Sequence, residues 1–329
     1  MARYAKSLAY IASILILILL SIPFRLVNIS SNSKNGNINN FNSPYRLFCV
    51  YSGSSDYYKY LLKEGLDDAA SELNAWVKFY KFNSSEVDKH CEALDKAITA
   101  KVDGIITNVP LKNEIFNYIE LAYNRNIPVI TIEDDLSNSK RISSIVTNSY
   151  AYGKNAGRLM ILATEGEATT AIFDSNSNFS KNEIKNKGFI DAIKNYQGMN
   201  VEKYNVKEPS IIEYINLAQS IFINNPDVNS FFCPDIESTL GVVRAMVEFN
   251  KTNCIVIGSG DSQEILNYIK NGIIYASLVE DPYSIGYFSV ECMIKHLNGG
   301  SISESINSDV IIVTRNNVDN VLAERKDKD

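Results

Sequence analysis

Carboxylates, amides and phenols gather at one recurring place in this sequence, just past the end of each short apolar run that reads as a β-strand. Asp56, Tyr57 and Tyr58 follow the first run, and Asn108 follows the third. The fourth ends in Glu133, Asp134 and Asp135, and the fifth in Asn148. Farther on, the same positions hold Asp174 and Asn176, Asp235 and Glu237, Asp261, and then Glu280 and Asp281. Planar oxygens and amides of this kind hydrogen-bond adjacent hydroxyls, and tyrosine faces pack against the C–H side of a ring. A carboxylate accepting from a hydroxyl makes a charge-assisted bond, strong where water is excluded. Taken singly, each position reads better as a helix cap, because Asp, Asn and Ser favour helix starts. Taken together they are more than caps, since both halves of the chain place the same chemistry at the same edge.

The elements that must position these side chains alternate strictly. LFCVYS, WVKFYKF, DGIITN, IPVITI and ISSIVT read as strands, and residues 56–74 as a helix. Asn83 with Glu86 reads as the cap pair of a helix whose Val87, Cys91, Leu94 and Ile98 form one apolar face. Ile115, Ile119 and Ala122 mark another helix. From residue 149 the alternation resumes, with ATTAIFD, MNVEKYNV, VNSFFC, NCIVIG and IIYASLV as strands, each followed by an amphipathic segment. Alternating strand and helix predicts an α/β chain with parallel sheets covered on both faces. The break near Thr147–Tyr150 predicts two doubly wound lobes, in which ligands bind beyond the C-terminal strand ends.

Other chemistries find little support. GSGDS at 258–262 lacks the third glycine and the helix opening of a dinucleotide loop. The 2 histidines, His90 and His296, have no nucleophile motif beside them, and no C-x-x-C occurs, which argues against zinc. Of the 5 cysteines, Cys49, Cys233 and Cys254 lie in strand-like runs and Cys91 and Cys292 in helical patterns; all read as buried free thiols. Asp134 and Asp135 could form the carboxylate pair of a glycosidase, but two matched lobes suit closure on a ligand better. A net charge of −6 disfavours nucleic acid. The expectation is a binding protein rather than an enzyme, without a cofactor or a metal.

At the N-terminus, Arg3 and Lys6 precede an apolar run from Leu8 to Ile22, followed by Arg25. Basic residues on the near side favour a cytoplasmic start. The first cysteine is Cys49, so no lipoprotein cysteine closes the run, and no small-x-small cleavage site follows it. Residues 1–27 therefore read as an uncleaved signal anchor, a single transmembrane helix, rather than a removed secretory peptide. Residues 28–44, rich in Asn and Ser, read as a flexible tether spanning roughly 20 Å. The remainder lies outside the cell and, at about 285 residues, suits two lobes better than one core.

Several stretches together resemble the type I periplasmic binding proteins of the ribose- and galactose-binding branch. They are KEGLDDAASEL, KVDGIITN, NRNIPVITIED, NKGFIDAI, NNPDVNSFFCPDIESTLGVVRAM, CIVIGSGDS and IIYASLVEDPYSIGYFSVE, in an order covering about residues 45–315. The resemblance implies two lobes joined by a three-stranded hinge, with crossings near 148, 280 and 307. Residues 45–148 with 281–306 would form the N-terminal lobe. Residues 149–280 with 307–320 would form the C-terminal lobe, and 321–329 a charged tail. It also implies a monosaccharide held by Asp56, Tyr58 (or Tyr57), Asn108, Glu133, Asn148, Asp235 and Glu280. Asp261 would join them, although the family's acidic residue often stands one place earlier, where this chain has Gly260. Where the family commonly has arginines, this chain has Asp134, Glu183 and Lys185, making the cleft acid-rich and arginine-poor.

A membrane-anchored receptor without an output domain resembles the sugar-binding proteins that pair with a sensor histidine kinase, the xylose-sensing kind of clostridia among them. That reading gives a pentose receptor, xylose favoured, whose closure signals to a kinase ectodomain controlling sugar-uptake genes. The alternative is the substrate-binding component of a sugar ABC transporter. A repressor, which shares the fold, would need an N-terminal helix-turn-helix where residues 1–44 offer a membrane run and a tether.

Overall fold

The computed structural model describes residues 44–53, 55–175 and 181–326. The anchor read over 1–27, and the tether read over 28–44 except its last residue, lie outside them. Among the described residues, no helix is long and apolar enough to cross a membrane.

The first half of the chain alternates as β1 (Tyr45–Ser52), α1 (Asp56–Glu72), β2 (Ala75–Phe82), α2 (Val87–Thr99), β3 (Gly104–Thr107), α3 (Lys112–Tyr123), β4 (Val129–Ile132) and β5 (Ser143–Thr147). The second continues as α4 (Ser149–Thr164), β6 (Ala168–Ser175), α5 (Lys181–Ile193), β7 (Met199–Val206), α6 (Ile211–Asn224) and β8 (Ser230–Phe232). It then runs through α7 (Ile236–Glu248), β9 (Ile255–Ser259), α8 (Gln263–Lys270) and β10 (Ala276–Glu280). The chain closes with α9 (Pro282–Leu297), β11 (Ser305–Ser308), β12 (Val310–Thr314) and α10 (Val318–Lys326).

Two sheets result, ordered β11-β5-β4-β3-β1-β2 and β12-β10-β9-β8-β6-β7. The first is parallel throughout, and β4 is buried at every residue, as expected of a strand covered on both faces. The second is parallel except for β12, which runs antiparallel to β10. The exception has a simple cause. Only Asp309 separates β11 from β12, too little chain for a crossover. A strand leaving the first sheet at its C-terminal edge enters the second at the facing edge and must run the other way. The strand order reverses between β1 and β3 in one sheet and between β6 and β8 in the other.

Helix crossings hold each lobe together at glycine pairs. A Cβ on Gly65 of α1 would stand 2.0 Å from the Tyr283 carbonyl oxygen of α9, and one on Gly286 would stand 2.3 Å from that of Leu62. In the other lobe, a Cβ on Gly153 of α4 would stand 1.8 Å from the Lys185 carbonyl oxygen, and one on Gly188 of α5 2.1 Å from that of Tyr150. These contacts seat α1 against α9 and α5 against α4, fixing two helices that carry cleft residues.

Three local readings are corrected. The first helix ends at Glu72, because Asn74 takes a left-handed φ of 53°. The helix expected from Asn83 begins at Val87: the Glu86 carboxylate accepts from the Asn83 N–H at 2.9 Å, while the Asn83 amide oxygen accepts from Lys59 at 3.3 Å. The buried face of that helix adds His90, Ala93 and Ala97 to Leu94 and Ile98, leaving Val87 and Cys91 half-buried. Residues 321–326, read as tail, belong to α10, whose Leu322 packs into the second lobe's core. Cys49, Cys233, Cys254 and Cys292 are buried and Cys91 half-buried, all free.

Candidate functional site

At the first switch point the polar groups brace the strands. The Asn108 amide accepts from the Ser52 N–H at 3.0 Å and donates to the Ser52 carbonyl oxygen at 2.8 Å, tying β3 to β1. Beneath it, His90 Nδ1 lies 2.8 Å from Ser52 Oγ, and Nε2 lies 2.8 Å from Thr107 Oγ1. Thr107 spends its proton on the Asn108 carbonyl oxygen at 2.9 Å, so it accepts from Nε2–H and the imidazole is the neutral Nε2 tautomer. Burial pushes the His90 pKa down to about 4, which keeps it neutral.

The end of β4 is different. Glu133 takes a φ of 65°, in the left-handed region, so the strand ends there instead of continuing. Tyr51 donates to its carboxylate at 2.9 Å. Tyr58 stacks on Tyr51 at 5.6 Å between ring centroids, and its hydroxyl is buried near Glu133 with no hydrogen-bond partner among the described residues. Burial first, and then the charge of Glu280, raise the Glu133 pKa to about 7 against the tyrosines and Lys181 that oppose the shift. Lys181 reaches over from the second lobe to Asp134 at 2.9 Å and to the Glu133 carbonyl oxygen at 3.0 Å. The neighbouring Asp135 is held by Arg141 through Nε and through Nη2, the latter at 2.8 Å. The Asp134–Asp135 pair is thus divided between two cations rather than free for acid–base work.

The second lobe supplies a ring and an amine. The Tyr152 hydroxyl lies 2.8 Å from Ser259 Oγ and 2.7 Å from the Leu278 carbonyl oxygen, pinning α4 to the ends of β9 and β10. Lys185 packs over the Tyr152 ring at 4.2 Å and donates to the Pro234 carbonyl oxygen at 2.9 Å. Burial lowers its pKa. Asp235 caps α7 through the Ser238 N–H at 2.7 Å and takes Asn182 on its other oxygen at 2.5 Å. It is a cap and a cleft residue at once. Asp261 is paired with Arg325 at 3.7 Å; burial raises its pKa against that cation.

Two adjoining cavities open here. One, of about 280 Å³, is lined by Tyr58, Tyr152, Lys185, Asp235, Ser259, Asp261 and Glu280 among others. The second, of about 610 Å³, lies between α1 and the β12–α10 segment and shares Tyr58, Asp261, Val279 and Glu280. These are the dimensions of small-molecule sites, roughly 300–1,000 Å³. Among the described residues, no group of His, Cys, Asp and Glu could hold a metal ion.

Of the expected site residues, the fold gathers Tyr57, Tyr58, Asp235, Asp261, Glu280 and Lys185 on these cavities, with Glu133 and Asp134 beside them. Asp56, Asn148 and Glu183 line neither cavity. Asp56 is 88% exposed beside Lys59, and Asn148 caps α4 through the Ala151 N–H at 2.9 Å. Glu183 lines a separate groove with Asp174 and Lys203. Asn108 spends its amide on Ser52. Asn176 lies outside the described residues. Sequence reasoning missed Tyr51, Tyr152, Lys181, Ser259 and Arg325. The cavity linings are acid-rich, with Lys185 as the cation among them, while Lys181 and Arg325 pair with Asp134 and Asp261 at their edges. The four-residue spacing of Lys181 and Lys185 was the available signal for two of them, since it places both on one helix face.

A family model described as a periplasmic binding protein domain matches residues 47–301. The chain belongs to the periplasmic binding protein family. Members of this family are sugar-binding proteins, not enzymes. The ribose import binding protein RbsB of Haemophilus influenzae is 22% identical over 259 residues, covering 77% of this chain and 86% of that protein. The D-allose-binding periplasmic protein of Escherichia coli is 21% identical over 253 residues, covering 73% and 81%. Among solved structures, the arabinose binding protein AraP from Geobacillus stearothermophilus superposes with a TM-score of 0.76 at 24% identity, over 84% of this chain and 99% of that one. A structure of the XylFII–LytSN complex superposes with a TM-score of 0.75 at 26% identity, over the same shares.

Proposed function

We propose that this periplasmic binding protein is an extracytoplasmic monosaccharide receptor that closes on its sugar, a pentose such as xylose being favoured. The observation that carries this reading is the pairing of opposed carboxylates across an aromatic cleft. Glu280 of one lobe lines the cavity walled by Tyr58 and Tyr152, and Glu133 of the other, held by Tyr51, lies within electrostatic reach of it. Carboxylates accept from vicinal hydroxyls, and the rings take the apolar face of a sugar. Glu133, Asp134, Asp235, Asp261, Glu280, Tyr57, Tyr58 and Lys185 are assigned to this site. A ligand touching both lobes binds the closed state better than the open one and so shifts the balance toward closure.

The receptor then signals, on this reading, to a membrane sensor histidine kinase while tied to the membrane by residues 1–27. Two facts support it: the basic-then-apolar N-terminus, and the likeness to the XylFII component of a two-protein complex. The second reading, a substrate-binding component of a sugar ABC transporter, is favoured by the import proteins among its relatives. Co-purification with a candidate kinase ectodomain, with and without sugar, separates them. Signalling requires a complex that changes with ligand; a complex indifferent to ligand, or none, leaves the transport reading.

A further inference from the structure

Helix α10 is seated on the second lobe. Val318 and Leu322 are buried in that lobe's core, and Asp319 pairs with Lys270 of α8 at 2.7 Å. Its last turn reaches the other lobe. The guanidinium carbon of Arg325 lies 4.5 Å from the ring centroid of Tyr57, in the first turn of α1. Through Nη1 the same guanidinium donates to the Asp261 carbonyl oxygen, and Nη2 stands 3.7 Å from the Asp261 carboxylate. Only 11% of the Arg325 side chain is exposed. A planar cation can hold a carboxylate at its edge and an aromatic ring on its face, which a lysine cannot do as well. When the lobes part, the ring contact must break while the Asp261 contacts travel with α10.

We propose that Arg325 is a positioning residue of the cleft, an interlobe clasp that holds Asp261 in place and favours the closed arrangement before any ligand arrives. The pair between Lys181 and Asp134 joins the lobes as well, but its side chains are each 45% exposed, so solvent and salt weaken it. The Arg325 contact is the desolvated one, and cation–π contacts strengthen when desolvated. Its loss should raise the open-to-closed ratio about fivefold to thirtyfold. The proposal concerns the ligand-free protein, so it can fail while the sugar-binding reading stands, and the reverse.

The test is energy transfer between dyes on the full chain. Tyr123→Cys on the first lobe and Leu162→Cys on the second, both exposed positions, carry the dyes, with half-buried Cys91 replaced by serine. Without ligand, Arg325→Gln and Tyr57→Leu should each shift the population toward the open state. The double variant should shift it no further than the larger single effect, because the two residues form one contact. An unshifted population in folded Arg325→Gln, or additive effects in the double variant, overturns the proposal. Should Arg325→Gln fail to fold, Tyr57→Leu carries the same test, and an unshifted population there overturns it too.

Discussion

Lys181 and Asp134 meet across the cleft, the ammonium of one lobe 2.9 Å from the carboxylate of the other. The same Nζ donates to the Glu133 carbonyl oxygen at 3.0 Å, so that residue is gripped at its backbone while Tyr51 holds its carboxylate. The pair is half-exposed, and such pairs contribute about 0.2–1 kcal/mol. Lys181→Met should therefore weaken sugar binding by only about 1.5-fold to 5-fold at low salt, and by less at high salt. Calorimetric titrations at two ionic strengths check this; a loss of a hundredfold would mean that Lys181 touches the sugar itself.

Glu133 predicts an unusual response to pH. Its pKa is raised to about 7 in the folded protein from an ordinary 4.5. A raised carboxyl favours the folded state below the unfolded value, and that advantage is lost as pH rises through the folded one. The full effect is about 3 kcal/mol. Glu133→Gln, which keeps an acceptor for Tyr51, should be more stable than the wild type at pH 8, with the gap closing by about pH 4.5. Melting temperatures across that range measure it.

His90 works in the opposite direction. Its pKa is lowered to about 4 from 6.5, so its contribution is present above the unfolded value and is lost as pH falls through the folded one. Two opposed terms of about 3 kcal/mol each should leave the wild type nearly flat between pH 4.5 and 6.5. In Glu133→Gln the histidine term is left unopposed, and denaturant midpoints should fall steadily as pH is lowered from 6.5 to 4.5. A flat profile in the variant would show that burial does not hold His90 neutral.

Gly188 should tolerate no side chain. An added methyl would meet the Tyr150 backbone carbonyl oxygen at 2.1 Å, a group that cannot swing aside. Gly188→Ala must push α5 away from α4, at a cost of about 1–3 kcal/mol for overpacking. Lys181 and Lys185 ride on the displaced helix, so sugar affinity should fall together with the melting temperature. Gly65→Ala is the matching change in the first lobe.

The parallel sheets were legible because burial imposes local patterns. Ile115, Ile119 and Ala122 recur at helical spacing and are all buried on α3, and VITI reads as a strand covered on both faces. The direction of β12 was not legible, since it follows from which edge the chain enters after Asp309. Within the site, residue types at strand ends pointed to the right edge but not to each side chain's partner. Asn108 and Ser52 stand 56 positions apart, and nothing local shows that the amide is spent there. Arg325 lies still farther from Tyr57, and its helix looked like a charged tail until Leu322 was seen packed in the core.

Calorimetric titration of the wild type, Glu133→Gln and Glu280→Gln against pentoses, hexoses, polyols and amino-sugars tests the central claim most directly. At least one of these sugars should bind the wild type, and each variant should weaken that sugar by about tenfold or more, the cost of a lost charged hydrogen bond. Unchanged affinity in both variants, for every sugar that binds, would contradict a cleft built around these two carboxylates.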